Sequence, residues 1–274
     1  MPGDGLRSGF ALPAVLVCAL LASISFPLSA AEKWPEERKL GPFLCHADFS
    51  LEGQKKLLAE IESLQQDVAA ILGTQQPREN IHLFLFEKQG TYEAYLKRYF
   101  PRVPARRALY IKGRGPGMVF AHQGTDFEID VRHESTHALL HASFETVPLW
   151  LDEGIAEYFE VPQNKRASEN PHLATIRALL RQGTSPRLEA LEGISDLKDM
   201  GRDEYRDAWA WVHFMIHGPR EAHAELISYL EDCQSGGETE KLSARLRRAC
   251  RIWSDGWRSI SSRKSHYLGI RKTV

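Results

Sequence analysis

His133, Glu134 and His137 stand in a His-Glu-Ser-Thr-His run within residues 128–141, a stretch without proline or glycine. Its apolar positions recur at helical spacing, so it reads as a helix. Two histidines four residues apart then project from one helix face about a turn from each other, near enough to hold one small cation. Glu134 stands beside them, rotated roughly 100° by the 3.6-residue period. In this pattern two imidazoles bind zinc and the intervening glutamate serves as general base. A chain with eleven histidines can carry the pattern by chance, and a catalytic zinc site needs a third protein ligand and one open position.

Residues 147–160, VPLWLDEGIAEYFE, supply a candidate ligand. Pro148 opens a second helix with Leu151, Ile155, Tyr158 and Phe159 on its apolar side and Glu153, Glu157 and Glu160 on the other. Like charges at four-residue spacing, as at Glu153 and Glu157, destabilise an exposed helix by about a few tenths of a kcal/mol and ask for a nearby cation. Glu153 is therefore the expected third ligand. Glu157, one turn later, is expected to accept the second ring N–H of a ligating histidine, His133. His141 is excluded as a ligand to the same ion. Positions 133, 137 and 141 span about 12 Å along a helix, whereas zinc bonds nitrogen at about 2.0–2.1 Å. It reads as an outer partner of the site or as a solvated histidine.

HESTH followed by PLWLDEGIAEYF resembles the gluzincin, or peptidase MA-like, zinc metallopeptidases, with a motif core over residues 133–159. A looser similarity, to bacterial secreted proteins with this domain, runs from about residue 43 to residue 218. The resemblance implies an enzyme that hydrolyses a peptide or protein substrate. It implies one zinc ion on His133, His137 and Glu153, with Glu134 taking a proton from water and passing it to the leaving amine, and Glu157 behind the ligands. It further implies an oxyanion-stabilising side chain from the helix that begins near Tyr205, with Tyr205 the first choice and His213 or His217 the second. An edge strand beside the zinc would pair with extended substrate in such enzymes, and residues 118–121 are the candidate. The alternative for that strand is a plain structural role. The distance in sequence from His137 to Glu153 is shorter than in the large aminopeptidases, so their substrate preference is not carried over. The rival reading is a non-catalytic, gluzincin-like metal-binding or interaction module of the cell envelope. Glu134 counts against it, because a site without turnover needs no base.

The elements that must position these residues can be read along the chain. Residues 51–73 carry a helical apolar pattern that Gly73 stops. Residues 81–86 alternate as a strand, a helix follows near 92–99, and 108–111 and 118–121 read as two strands joined by a glycine-rich turn. That turn lacks the Gly-Lys-Ser/Thr ending of a phosphate loop. Beyond residue 160, helices are expected near 171–182, 204–217, 221–233 and 238–252. The expected fold is α+β: a small mixed sheet with an edge hairpin packed on the metal-site helix, then a mostly helical part.

At 274 residues, 43% hydrophobic and 26% charged, the chain can bury a sizeable core. A net charge of −1 implies no nucleic-acid partner. Arg7 precedes an apolar run, and Leu-Ser-Ala-Ala ends it at Ala31. Residues 1–31 thus read as an export signal, or as a single anchor if left uncut. The peptidase-like domain is expected over 32–218 and a basic helical extension over 219–274. Export favours disulfides, and Cys233 with Cys250 is the likelier pair, leaving Cys45 single. Residues 241–274 carry ten Lys and Arg against Asp255 alone. Such segregation suits an anionic envelope surface, while Trp253, Trp257 and Ile260 at helical spacing suit packing on the domain.

Overall fold

The computed structural model describes residues 34–104, 106–113, 115–235 and 239–250. They form an α+β fold, a five-stranded mixed sheet followed by a mostly helical half. Strands β1 (Glu36–Leu40), β2 (Phe43–Ala47), β3 (Ile81–Phe86), β4 (Ala108–Ile111) and β5 (Met118–His122) lie in the order β1-β2-β3-β5-β4. The pairs β1–β2 and β4–β5 are antiparallel, and β3 runs parallel to both β2 and β5.

Successive side chains leave opposite faces of a strand, and here each face feeds its own core. Cys45, Leu83, Leu85 and Val119 join the larger one; Phe84, Phe86, Leu109 and Phe120 join the smaller. On the larger-core side, α1 (Lys55–Leu72) buries Leu57, Leu58, Ile61, Leu64, Val68 and Leu72. Gly73 ends it with φ 70° and an N–H bonded to the Ala69 carbonyl at 2.9 Å, a left-handed cap that side chains resist. The opposite face is covered by α2 (Gln89–Tyr99), through Tyr92 and Leu96.

The helix with the two histidines, α3 (Phe127–Ser143), packs on β4, β5 and α1. Arg107 pins its first turn, gripping Asp130 through Nε and Nη2 at 2.6 Å each and Asp126 through Nη1 at 2.6 Å. Farther along, buried Arg132 donates to Glu60 of α1 at 2.7 Å and to the carbonyl of Glu160. The next helix, α4 (Leu149–Phe159), is buried at every residue from 150 to 159, as befits a helix in the centre of a domain.

Beyond it come α5 (His172–Arg181), α6 (Leu188–Leu191), α7 (Arg202–His217), α8 (Arg220–Gln234) and α9 (Leu242–Ala249). Gly154 sets the approach of α4 to α7, since a Cβ there would stand 2.7 Å from the Ala208 carbonyl oxygen. Ala222, Leu226 and Leu230 of α8 extend the same larger core.

Several expectations change. Residues 36–47, to which the sequence alone assigned no strand, form the hairpin β1–β2. The strand at 118–121 is interior, flanked by β3 and β4, so the sheet edge beside α3 is β4. Cys233 and Cys250 are not bonded to each other, and Cys45, Cys233 and Cys250 are all free. The Cys233 thiol is engaged instead with the Tyr229 hydroxyl one turn earlier on α8. In α9, Arg245, Arg247 and Arg248 pair with Asp232, Glu189 and Glu240, so these basic residues already meet acidic partners within the chain. The export signal, Trp253, Trp257 and Ile260 lie outside the described residues. No helix among the described residues is long and apolar enough to cross a membrane.

Candidate metal centre

The crossing of α3 and α4 brings His133, His137 and Glu153 together, all between 0 and 1% exposed. Nε2 of His133 and Nε2 of His137 are 3.2 Å apart, and Glu153 Oε2 lies 3.5 Å from the first and 3.7 Å from the second. Tetrahedral bonds of about 2.0–2.2 Å hold neighbouring ligand atoms roughly 3.3–3.6 Å apart. The three atoms have the spacing of ligands around one ion.

Their protonation follows from their outer partners. His133 Nδ1 meets Glu160 Oε2 at 3.0 Å, and His137 Nδ1 meets Asp152 Oδ1 at 2.9 Å. Ionised carboxylates only accept, so each Nδ1 is the donor and each neutral ring turns an Nε2 lone pair inward. With both rings neutral, two lone pairs and a carboxylate oxygen converge on one point that a proton or a metal ion can occupy. The alternative, an N–H on Nε2 donating to Glu153, is poorly served at 3.5 and 3.7 Å. Neither oxygen of Glu153 has a hydrogen-bond partner among the described residues.

The surrounding charge is negative and favours protons or a cation. Burial alone would lower the His137 pKa, but Asp152 and Glu153 together carry it up to about 10. His133 is likewise opposed by burial and raised well above its ordinary value by Glu153 and Glu160. Burial resists ionisation of Asp152 and Glu153, yet His137 foremost brings both below the usual carboxylate range. A hole that binds protons this firmly also favours a divalent metal, which releases those protons on binding.

Glu134 is fully buried, and neither of its oxygens has a hydrogen-bond partner among the described residues. Burial raises its pKa to about 7 against the pull of His137 and His133.

The partner of His133 is Glu160 and not Glu157. Glu157 Oε2 accepts from His172 Nε2 at 2.9 Å instead, because the His133 ring reaches one helical turn farther along α4 than the sequence pattern suggests. Burial and then the nearby Glu157 charge raise Glu160 to about 7. His133, Glu157 and Glu160 also place ligand atoms within 4.8 Å of one another. That grouping would use the His133 Nδ1 that donates to Glu160.

Tyr205 on α7 is buried within the field of the site: after burial, the charges of Glu153, Glu157 and Glu134 raise its pKa. His213 and His217 look elsewhere. His213 Nε2 donates to the Ala167 carbonyl at 3.1 Å, and His217 Nε2 meets the Tyr158 hydroxyl at 2.9 Å. Burial lowers their pKa values to about 4 and about 3, removing them as oxyanion donors in protonated form.

Sequence reasoning missed Asp152, the role of Glu160, and Tyr92. Asp152 immediately precedes Glu153 and is turned toward α3, a signal that the helical rotation could have provided. Tyr92 carried no signal, since α2 reads as an ordinary covering helix. It is fully buried, its hydroxyl has no hydrogen-bond partner among the described residues, and Glu134 is the first charge, after burial, that raises its pKa. No curated protein matches the chain. Residues 129–235, from the first turn of α3 to the end of α8, match the model of a family described as a protein of unknown function (DUF1570).

Proposed function

We propose that the chain is a zinc-dependent peptidase of the gluzincin kind. The observation that carries this reading is the convergence of His133 Nε2, His137 Nε2 and Glu153 Oε2 beside the unpartnered, buried Glu134 carboxylate. Zinc held there supplies Lewis acidity toward a carbonyl oxygen and makes water more acidic. Asp152 and Glu160 orient the two imidazoles and keep their Nε2 lone pairs inward. Glu134 takes a proton from the attacking water and delivers it to the leaving nitrogen. Tyr205 is assigned to the developing oxyanion, and Tyr205→Phe should lower turnover with little change in metal content. An extended peptide would add to β4, the sheet edge beside α3. We further read residues 1–31 as placing the enzyme outside the cytoplasm.

One observation favours a metal module without turnover: ligands 0 to 1% exposed also suit an ion that only holds helices together. Two measurements decide. Elemental mass spectrometry of the purified chain should find about one zinc per molecule, lost in His137→Ala. A peptide library should then be cleaved by the native chain and left intact by Glu134→Gln. Bound zinc with no cleavage of any peptide would leave the module; no zinc in a folded chain supplied with it would end both readings.

A further inference from the structure

Asp152 is fully buried, and each of its oxygens serves a different histidine. Oδ1 accepts from His137 Nδ1 at 2.9 Å, and Oδ2 accepts from His141 Nε2 at 2.9 Å. The two histidines are four residues apart on α3, so consecutive turns of one helix clamp a carboxylate that arrives from α4. His141 is itself held from the sheet. Its ring stacks on that of Tyr110 in β4, with centroids 5.8 Å apart and planes 19° apart, and its carbonyl accepts from Lys112 Nζ at 3.2 Å. An unbroken series of contacts therefore runs from the edge strand through His141 and Asp152 to the metal ligand His137.

We propose that His141 is a positioning residue for the metal: it fixes the Asp152 carboxylate so that His137 is held in the tautomer and orientation that ligate. The proposal rests on the metal reading above and adds to it a residue outside the His-Glu-x-x-His motif. Without the His141 donor, Asp152 Oδ2 would be left unpaired at a fully buried position. The carboxylate could then rotate away from His137 Nδ1. Loss of such an outer partner typically weakens metal binding about 10- to 100-fold. Because Tyr110 of β4 and Lys112 just beyond it hold His141, anything that moves that strand would reach the ligand by the same route.

The test is zinc affinity by competition with a chromophoric chelator, on the full chain and on His141→Ala, His141→Gln and His141→Phe. Glutamine keeps an N–H donor near the position of Nε2; phenylalanine keeps the ring against Tyr110 and has no donor. Thermal unfolding of each metal-free chain is recorded alongside. Alanine and phenylalanine should weaken zinc binding about 10- to 100-fold, and glutamine should recover most of it. The metal-free phenylalanine variant should still unfold cooperatively, at a lower midpoint than glutamine because its Asp152 oxygen is unpaired. Unchanged affinity in phenylalanine, or equal losses in glutamine and phenylalanine, would overturn the proposal. So would unfolding of all three variants, which would make His141 a support of the fold. Failure of the native chain to bind zinc is a separate outcome and would defeat the metal reading itself.

Discussion

Two pairs of histidines in this molecule sit at almost the same separation and are chemically opposite. On the outer sheet face, His46 Nε2 and His82 Nδ1 are 3.0 Å apart; in the core, the two Nε2 atoms of His133 and His137 are 3.2 Å apart. His46 Nδ1 donates to Glu37 Oε1 at 2.9 Å, so its Nε2 is free to accept the proton on His82 Nδ1. That pair is a complete donor–acceptor hydrogen bond, with the His82 ring stacked at 12° on Phe84. Burial and then His46 lower the His82 pKa, and among the described residues no carboxylate offsets them. In the core pair both Nδ1 groups are committed to carboxylates, so both Nε2 atoms of the neutral rings face Glu153 and can be satisfied only by added protons or a cation. Proximity of histidines therefore says little about metal; the groups on the far side of each ring decide whether the near side is satisfied or asks for a cation.

The sharpest way to break the comparison is at Glu134. Glu134→Gln should retain zinc and lose cleavage by about 100-fold or more, the range for a general base; initial rates on a cleaved peptide, with metal content alongside, measure it. A smaller loss belongs to the packing that seats the core pair. Gly154→Ala would drive α4 from α7, because its Cβ meets the Ala208 carbonyl oxygen at 2.7 Å. Overpacking of that kind costs about 1–3 kcal/mol, and both the thermal midpoint and zinc affinity should fall.

Acidity separates the two pairs as well. In the metal-free chain, His133 and His137 are raised, the latter to about 10, and Glu134 and Glu160 are raised to about 7. All four hold protons in the folded state that the unfolded chain releases earlier. Below about pH 6.5 the buried His213 and His217, lowered to about 4 and about 3, work against this. Stability should fall as pH rises from about 6.5 to about 10, where the native state binds more protons. Asp152 and Glu153 are shifted the other way and act only at more acidic pH. Thermal midpoints of chelator-treated protein across the window check the sign, and zinc affinity should rise over the same interval as the competing protons leave. The smallest effect is expected at the outer pair. His82→Ala removes one partly exposed hydrogen bond, worth about 1 kcal/mol, and should leave zinc content unchanged. Loss of zinc in that variant would undo the contrast.

Much of the fold was legible because its signals are local. Strands at Ile81–Phe86 and Ala108–Ile111 and the stop at Gly73 follow from alternation and from a residue that tolerates a left-handed cap. The hairpin β1–β2 was not. Its first strand, EERKL, is mostly charged and lies at a sheet edge, where only one flank needs a partner. The position of β5 was misread for a related reason: strand order is a property of the sheet, and a hairpin in sequence does not say which of its strands faces outward.

The sequence by itself determined which residues could converge on one ion. The 3.6-residue helix period places His133 and His137 on one face, and the acidic side of the following helix offers Glu153. Only the tertiary structure decided which carboxylates stand behind those ligands. Glu160 replaced Glu157 at His133, and Asp152 took both His137 and His141. The outer partners depend on the angle and depth at which α4 crosses α3, set by Gly154 against Ala208 and by Arg132 reaching Glu60 and Glu160. Those contacts join residues far apart in the chain, and no periodicity within either helix encodes them.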